Sequence, residues 1–361
     1  MNFDFSDEQK MLRDEVRKFL VKESPHARAR AAIEQGLTHD AAVWGGLKAL
    51  GVTALMLPQA CGGCGLGALE LCVVAEEAGR QLSPVPLAST LYLAAQALLL
   101  GASPQQQQRW LPRIAAGEIA ALAAPLDADP GAALPRVEGG ALHGVAPLVA
   151  DGEAAAFAVV LARQGWVVAE LGAGVSRRRL QTLDPSRPYA ELTFEGTPAE
   201  PLERAADAGA LLAQVRNRAA ILLAFEQLGG ADSALETAAA YARERRAFGR
   251  AIGSYQGIKH KLADIYSGNQ MARAHCWYGA WALASDAAEL PLAAAGARVA
   301  ASAAYAFAAQ ENIQTHGGIG YTWELDCHLH YRRARQLAVM LGNEHQWREQ
   351  LVCGLERRLD A

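Results

Sequence analysis

The sequence is poor in features that would mark several protein classes. It has six cysteines in 361 residues, too few in a chain this long for a disulfide framework, so a reducing cytoplasm is the expected setting. It has no basic excess: 34 Lys and Arg stand against 38 Asp and Glu, a formal net charge of −4. That argues against nucleic acid or an anionic membrane as partner. No uninterrupted apolar run approaches the roughly 20 residues of a membrane span, and alanine inflates the 51% hydrophobic fraction. The opening MNFDFSDEQK has acids and no apolar h-region, unlike a signal peptide. Cys61 and Cys64 form a C-x-x-C in CGGCGLG. A zinc site would want a second such pair and a redox motif a thioredoxin-like context; neither exists, so the segment reads as a loop. His328, His330 and His345 do not suggest a metal-binding bundle either. Such sites want Glu-x-x-His pairs, and Glu324 to His328 has the wrong spacing.

Proline is confined, and its distribution divides the chain. Eight of the 15 prolines lie from Pro125 to Pro201, which argues against helix there. Runs at 156–162, 166–170 and 189–195 are short, apolar or alternating, and read as strands. Before this region, Ser6 and Gln9 have capping-box spacing. Met11, Leu12, Val16, Phe19 and Leu20 follow at helical period, and further helices are expected over 40–50, 68–80, 86–100 and 105–116. After Asp207 only Pro291 interrupts a helical pattern, near a helix start where proline is tolerated. Helices are expected over 208–241, 255–285, 292–315, 327–341 and 344–359. The expected fold is mainly α: a helical N-terminal domain (1–116), a small central β domain (117–206) and a C-terminal four-helix-type bundle (207–361), rich in alanine and so closely packed.

Two C-terminal stretches carry chemical information. The first, ENIQTHGGIGYTWELDCHLHYRRARQLAVML, begins at Glu311. Gly317, Gly318 and Gly320 allow a sharp turn and close approach to the main chain. Arg332, Arg333 and Arg335 place cations a few residues on. His316 reads as a packing or phosphate-side residue. The second, YARERRAFGRAIGSYQGIKHKLADIY, begins at Tyr241. There an Arg-rich helix end meets Phe248-Gly249, and a new helix starts at Ser254-Tyr255-Gln256. A guanidinium fork suits a pyrophosphate, and helix starts favour anions. On spacing alone a solvated Arg/Glu face, with Glu244 balancing its neighbours, is the plainer reading.

Together these two stretches closely resemble the C-terminal domain of the acyl-CoA dehydrogenase family. FDFSDEQKMLRDEVRKFL resembles that family's first helix, and LPQACGGCGLGALELCVVAEEAGR its next landmark. The resemblance implies the family's fold, commonly a dimer of dimers, with FAD as cofactor, an acyl-CoA thioester as substrate and an electron-transferring flavoprotein as electron acceptor. It also implies that Arg245, Phe248, Gln256, Gln314, Gly317 and Gly318 grip the pyrophosphate and adenosine of FAD, across a subunit interface. In the family's reaction a carboxylate removes the α-proton while the β-hydride moves to the flavin.

The chain departs from the family where that carboxylate should be. The usual base position falls on Leu341, before Gly342, and the alternative one on Ala219. Neither can accept a proton. Glu344 is three residues past the first. Glu226 is two helical turns, about 10 Å, past the second. Both are weak candidate bases, because proton removal needs accurate placement. In the β region, LAAPLDADP (122–130) and PLVAD (147–151) stand where family members hold the flavin ring, with Leu148 and Ala150 replacing a tryptophan and a threonine. GGIGYTWE-x-D-x-H-L-H-Y, from Gly317 to Tyr331, is most similar to a bacterial branch of heteromeric enzymes acting on bulky CoA thioesters such as steroid fragments. The expectation is one subunit of such an enzyme, whose paralogous partner supplies the ring pocket and the base. A self-sufficient homo-oligomer with a relocated base and a non-catalytic interaction protein on the same fold remain alternatives.

Overall fold

The computed structural model describes residues 6–127, 133–172 and 174–359. Helix α1 (Asp7–Glu23) opens on the expected capping box: the Gln9 N–H donates to Ser6 Oγ at 3.2 Å, and the Ser6 N–H donates to Gln9 Oε1 at 3.0 Å. Helix α2 (His26–Glu34) follows; its alternation of Ala and Arg carries no apolar period, which hides it in the sequence. Helix α3 (Ala41–Ala49) is capped by Asp40, whose carboxylate accepts the Ala42 and Val43 N–H groups. Helix α4 (Ala68–Arg80) comes next.

The single helix expected over 86–100 has two windings. Residues Ala88–Ala94 are π-helical and buried, and α5 (Ala95–Gly101) continues them. Side-chain bonds hold the wider turn. Thr90 Oγ1 both accepts from the Ala120 N–H and donates to the Ala120 carbonyl, each at 3.2 Å, and Ser89 Oγ donates to Asp151 at 2.6 Å. Helix α6 (Pro104–Ala115) has a capping box from Ser103 and Gln106.

Among the described residues, seven strands follow: β1 (Ala120–Ala123), β2 (Arg136–Glu138), β3 (Ala141–Ala150), β4 (Phe157–Ala162), β5 (Gly165–Glu170), β6 (Val175–Leu180) and β7 (Tyr189–Pro201). They form one sheet in the order β1-β4-β5-β7-β3-β2, with β6 also paired to β7. Only β1 with β4 is parallel among the pairings described. β6 escapes sequence reading because it carries three consecutive arginines. All three are spent within the chain: Arg177 donates to the Glu153 carbonyl at 2.6 Å, Arg178 to Glu191 at 2.8 Å and Arg179 to the Leu37 carbonyl at 2.9 Å.

The rest of the described chain is helical except for a two-residue-per-strand hairpin, β8 (Arg246–Ala247) and β9 (Arg250–Ala251). The helices are α7 (Ala208–Glu244), α8 (Gln256–Ala284), α9 (Leu290–His316), α10 (Cys327–Val339) and α11 (Glu344–Leu359). Helix α9 has the length and composition of a membrane span, with a mean hydropathy of 1.3 over its most apolar window, but 56% of that window is buried inside the protein. It is apolar because it is a core helix. Its buried Arg298 is held by Gln227 and by the Leu337 carbonyl at 2.8 Å.

Two compact units emerge. One comprises the described residues up to Arg30, Cys72–Ser83 and those from Ala220 onwards; the other comprises Ala31–Leu71 and Pro84–Ala219. The first is organised by a crossing of α4 and α7 at which the backbones touch. A Cβ on Gly79 would lie 1.9 Å from the Glu226 carbonyl oxygen, and one on Gly229 would lie 1.9 Å from the Glu76 carbonyl oxygen. The same Glu-x-x-Gly pattern thus meets itself on two helices. The flanking acids are buried and paired. Arg273 of α8 donates to Glu76 at 2.9 Å and to Asp232 at 2.5 Å, while Arg333 of α10 lies 3.5 Å from Glu226. Burial raises the Glu76 carboxyl, and Arg273 counters that rise.

Gly229→Ala should therefore destabilise the protein by about 2–3 kcal/mol, since neither helix backbone can yield. Gly257→Ala, with nothing within 4 Å of the new methyl group, should be neutral or stabilising by up to about 1 kcal/mol. Chemical denaturation of the two variants measures the contrast.

Candidate functional site

The last turn of α7 and the end of α9 enclose a recess of about 370 Å³, lined by Tyr241, Arg245, Ile252, Thr315, His316, Gly317, Gly318 and Ile319. Local sequence explains each wall. Helix α7 stops at Glu244, and the chain reverses through Phe248 and Gly249, at φ 51° and 82°. Successive positive φ values suit a two-residue hairpin turn. The return strand is fastened by the Ile252 N–H to the Arg245 carbonyl at 2.8 Å and by Tyr255 Oη to the Ala247 carbonyl at 3.0 Å. Arg250 lies over the Tyr255 ring, 3.9 Å from its centre. Opposite, α9 ends at His316, and Gly317 takes φ 65°. A short 3-10 turn, Gly317–Tyr321, follows. Gly320 is needed there for space, because a Cβ would lie 2.5 Å from the Ile313 carbonyl.

The structure brings Arg245, Gly317 and Gly318 together in this recess. Gln314 and Gln256 are exposed outside its lining, Gln256 as the first residue of α8. Phe248 projects from the hairpin tip and is 97% exposed. A bulky side chain at positive φ is uncommon, and no packing among the described residues accounts for it here. Arg332, Arg333 and Arg335, expected near the glycine turn, are used elsewhere. Arg332 lies 5.8 Å from the centre of the Trp323 ring, Arg335 stacks on Tyr331, and Arg333 is buried against Glu226.

Four lining residues, Tyr241, Ile252, Thr315 and Ile319, are not picked out by their spacing. Tyr241 stacks on His316 with ring centres 4.1 Å apart and planes 28° apart. Its one sequence signal is its place a turn before Arg245, on the same helix face.

The recess fits an anionic group that approaches main chain. The Arg245 guanidinium makes no ion pair among the described residues. The face above Gly318 is open, with nothing within 4 Å of the point a Cβ would occupy. Both are what a pyrophosphate requires.

No carboxylate stands at either of the positions where the sequence led us to expect a base. Leu341 and Ala219 are each 1% exposed, and the Leu341 carbonyl is fixed by Trp347 Nε1 at 3.1 Å. Glu226 is a buried partner of Arg333 at the helix crossing. Glu344 is half-exposed in the first turn of α11 and pairs with Arg348 one turn on at 2.5 Å. In the sheet, Leu148 is 58% exposed and Ala150 is buried; part of 122–130 lies outside the described residues. Among the described residues no group of three or more His, Cys, Asp or Glu could hold a metal ion.

Comparison with known proteins identifies the family. The family model described as acyl-CoA dehydrogenase, N-terminal domain, matches residues 6–118, and that described as acyl-CoA dehydrogenase, C-terminal domain, matches residues 210–354. Acyl-CoA dehydrogenase IpdE2 of Mycobacterium tuberculosis is 37% identical, covering 94% of this chain and 95% of its own. Acyl-CoA dehydrogenase FadE34 of the same organism is 33% identical over 98% of this chain, which spans 49% of that longer protein. Among solved structures, the ChsE4-ChsE5 complex from Mycobacterium tuberculosis is similar with a TM-score of 0.88 and 26% identity, covering 99% of each chain. A variant of the Tcur3481-Tcur3483 steroid ACAD is similar with a TM-score of 0.86 and 27% identity, covering 98% of this chain and 99% of its own.

Leu341→Glu tests whether the buried position can hold a base. A carboxylate there would be desolvated beside apolar neighbours, so the variant should lose about 3 kcal/mol or more of stability and gain no activity. Thermal unfolding and a turnover assay on the same preparation check both outcomes.

Proposed function

Because this chain belongs to the acyl-CoA dehydrogenase family, we propose that it works as one subunit of a heteromeric, FAD-dependent enzyme that desaturates an acyl-CoA thioester between its α and β carbons. The observation that carries this reading is a pairing of presence and loss. A recess with a free guanidinium and two approachable glycines stands in the same chain as two base positions buried under Leu341 and Ala219.

FAD, when bound, takes up the hydride from the substrate's β-carbon. This chain's part is to hold the nucleotide end. Arg245 offers two parallel charge-assisted donors to a pyrophosphate. Gly317 and Gly318 let it come close to main-chain N–H groups. Phe248, Gln256 and Gln314, all exposed, are placed to be covered by a neighbouring subunit, where they would meet the adenosine side of its flavin. The exposed Phe248 at positive φ supports this, since strain at such a position is commonly tied to function. The α-proton goes to a carboxylate of the partner, a paralogous chain. The two electrons leave through an electron-transferring flavoprotein.

The similar structures include a complex of two differently named chains, ChsE4 and ChsE5, and one described as a steroid ACAD. With the Gly317–Tyr331 segment they favour a bulky CoA thioester, such as a steroid fragment, as substrate.

The chain should be purified alone and with any co-encoded paralogue. The pair should be yellow and turn over acyl-CoA, with the lone chain inactive. Arg245→Ala in the pair should lower flavin content several-fold, whereas Glu344→Gln should leave turnover within about two-fold of wild type. A lone chain as active as the pair would end this reading, and collapse of activity in Glu344→Gln would point instead to a relocated base.

A further inference from the structure

The recess contains a second polar group that the grip described above does not use. His316 is only 7% exposed, yet one of its ring nitrogens is unspent. Nδ1 lies 2.8 Å from the Asn312 carbonyl oxygen. A carbonyl can only accept, so Nδ1 carries the proton in that bond. Tyr241 stacks on the ring face and fixes its plane. Nε2 has no hydrogen-bond partner among the described residues, and His316 lines the recess beside Arg245, Gly317 and Gly318. A ring held in place from two sides, with its remaining nitrogen unpaired in the recess wall, is preorganised to meet a ligand there.

We propose that His316 is a direct ligand of a nucleotide pyrophosphate, donating from Nε2 to a phosphoryl oxygen while Nδ1 stays on Asn312. This deepens the cofactor reading above and rests on it. Donation from Nε2 while Nδ1 stays on Asn312 requires the ring to hold a second proton in the bound state, and Arg245 supplies a cationic contact from α7. Tyr241 and Asn312 act through His316 as positioning residues. They hold the imidazole edge toward the recess, so that little side-chain entropy is lost on binding.

The test uses whichever assembly retains flavin, the chain alone or with its co-expressed partner, stripped and re-titrated with FAD by flavin fluorescence. His316→Leu keeps the bulk and removes both nitrogens; His316→Gln keeps a donor. His316→Leu should weaken FAD binding about ten-fold or more, as expected for a hydrogen bond to a charged group, while His316→Gln should recover most of that loss. ADP, which has the pyrophosphate without the ring, should lose affinity in the same order, and riboflavin, which lacks it, should not respond. The phosphorus resonances of bound FAD should move in His316→Leu.

Unchanged FAD affinity in a folded His316→Leu would overturn the proposal. So would equal losses in the Leu and Gln variants with unmoved phosphorus resonances, because that pattern belongs to packing. Loss of flavin in Arg245→Ala with no effect at His316 would sink this inference alone. Failure of every assembly to hold flavin would sink the cofactor reading beneath it.

Discussion

The contact between α4 and α7, backbone against backbone at Gly79 and Gly229, is the constraint from which the helical unit is built. Each glycine admits the carbonyl of the opposing glutamate, so the helices approach more closely than any side chain would permit. That closeness buries Glu76 and Glu226, and buried carboxylates must be paired. Arg273 and Arg333 meet them from α8 and α10. Arg80 adds a pair with Glu236 at 2.8 Å, and Arg17 of α1 pairs with Glu77 at 2.7 Å. A steric requirement at two glycines thus becomes an electrostatic framework that fixes further segments around α7.

The site inherits its rigidity from that framework. Helix α7 runs on from the crossing to Tyr241 and Arg245, so the cationic wall of the recess sits at the end of a well-anchored rod. Helix α9 is held independently, through buried Arg298 and through Tyr305 Oη, 3.2 Å from His330 Nδ1. Burial, with the nearby cations, keeps the His330 ring well below its ordinary pKa, so it serves here as a neutral packing group. Two rigid helix ends therefore face each other across the recess, and sharp backbone turns shape its rim: Phe248, Gly249 and Gly317 all take positive φ.

The broad architecture was legible because its signals are local. The capping box at Ser6, a proline-rich centre and long alanine-rich helices each follow from composition and spacing, and the order helices, sheet, helices is what the structure shows. Other elements were hidden for physical reasons. β6 pairs with β7 through arginines whose charge masks the strand pattern. The π-helical winding at Ala88–Ala94 depends on Thr90 bonding to Ala120, thirty residues away, and no local pattern reports such a bond. Arg245, Gly317 and Gly318, picked out by their motifs, line one recess. Tyr241 and the fixed ring of His316 became visible only when α7 and α9 were brought together. Arg333 shows the opposite case: a cation beside the glycine turn in sequence, committed in space to Glu226.

The central claim is that this chain holds the nucleotide end of the flavin and supplies no base to the substrate. It is tested most directly by a structure of the flavin-loaded assembly with a bound acyl-CoA analogue. The account predicts Arg245 on the pyrophosphate and, beside the substrate's α-carbon, a carboxylate from another chain. A glutamate or aspartate of this chain poised at that carbon, with the flavin ring held by its own sheet, would contradict it.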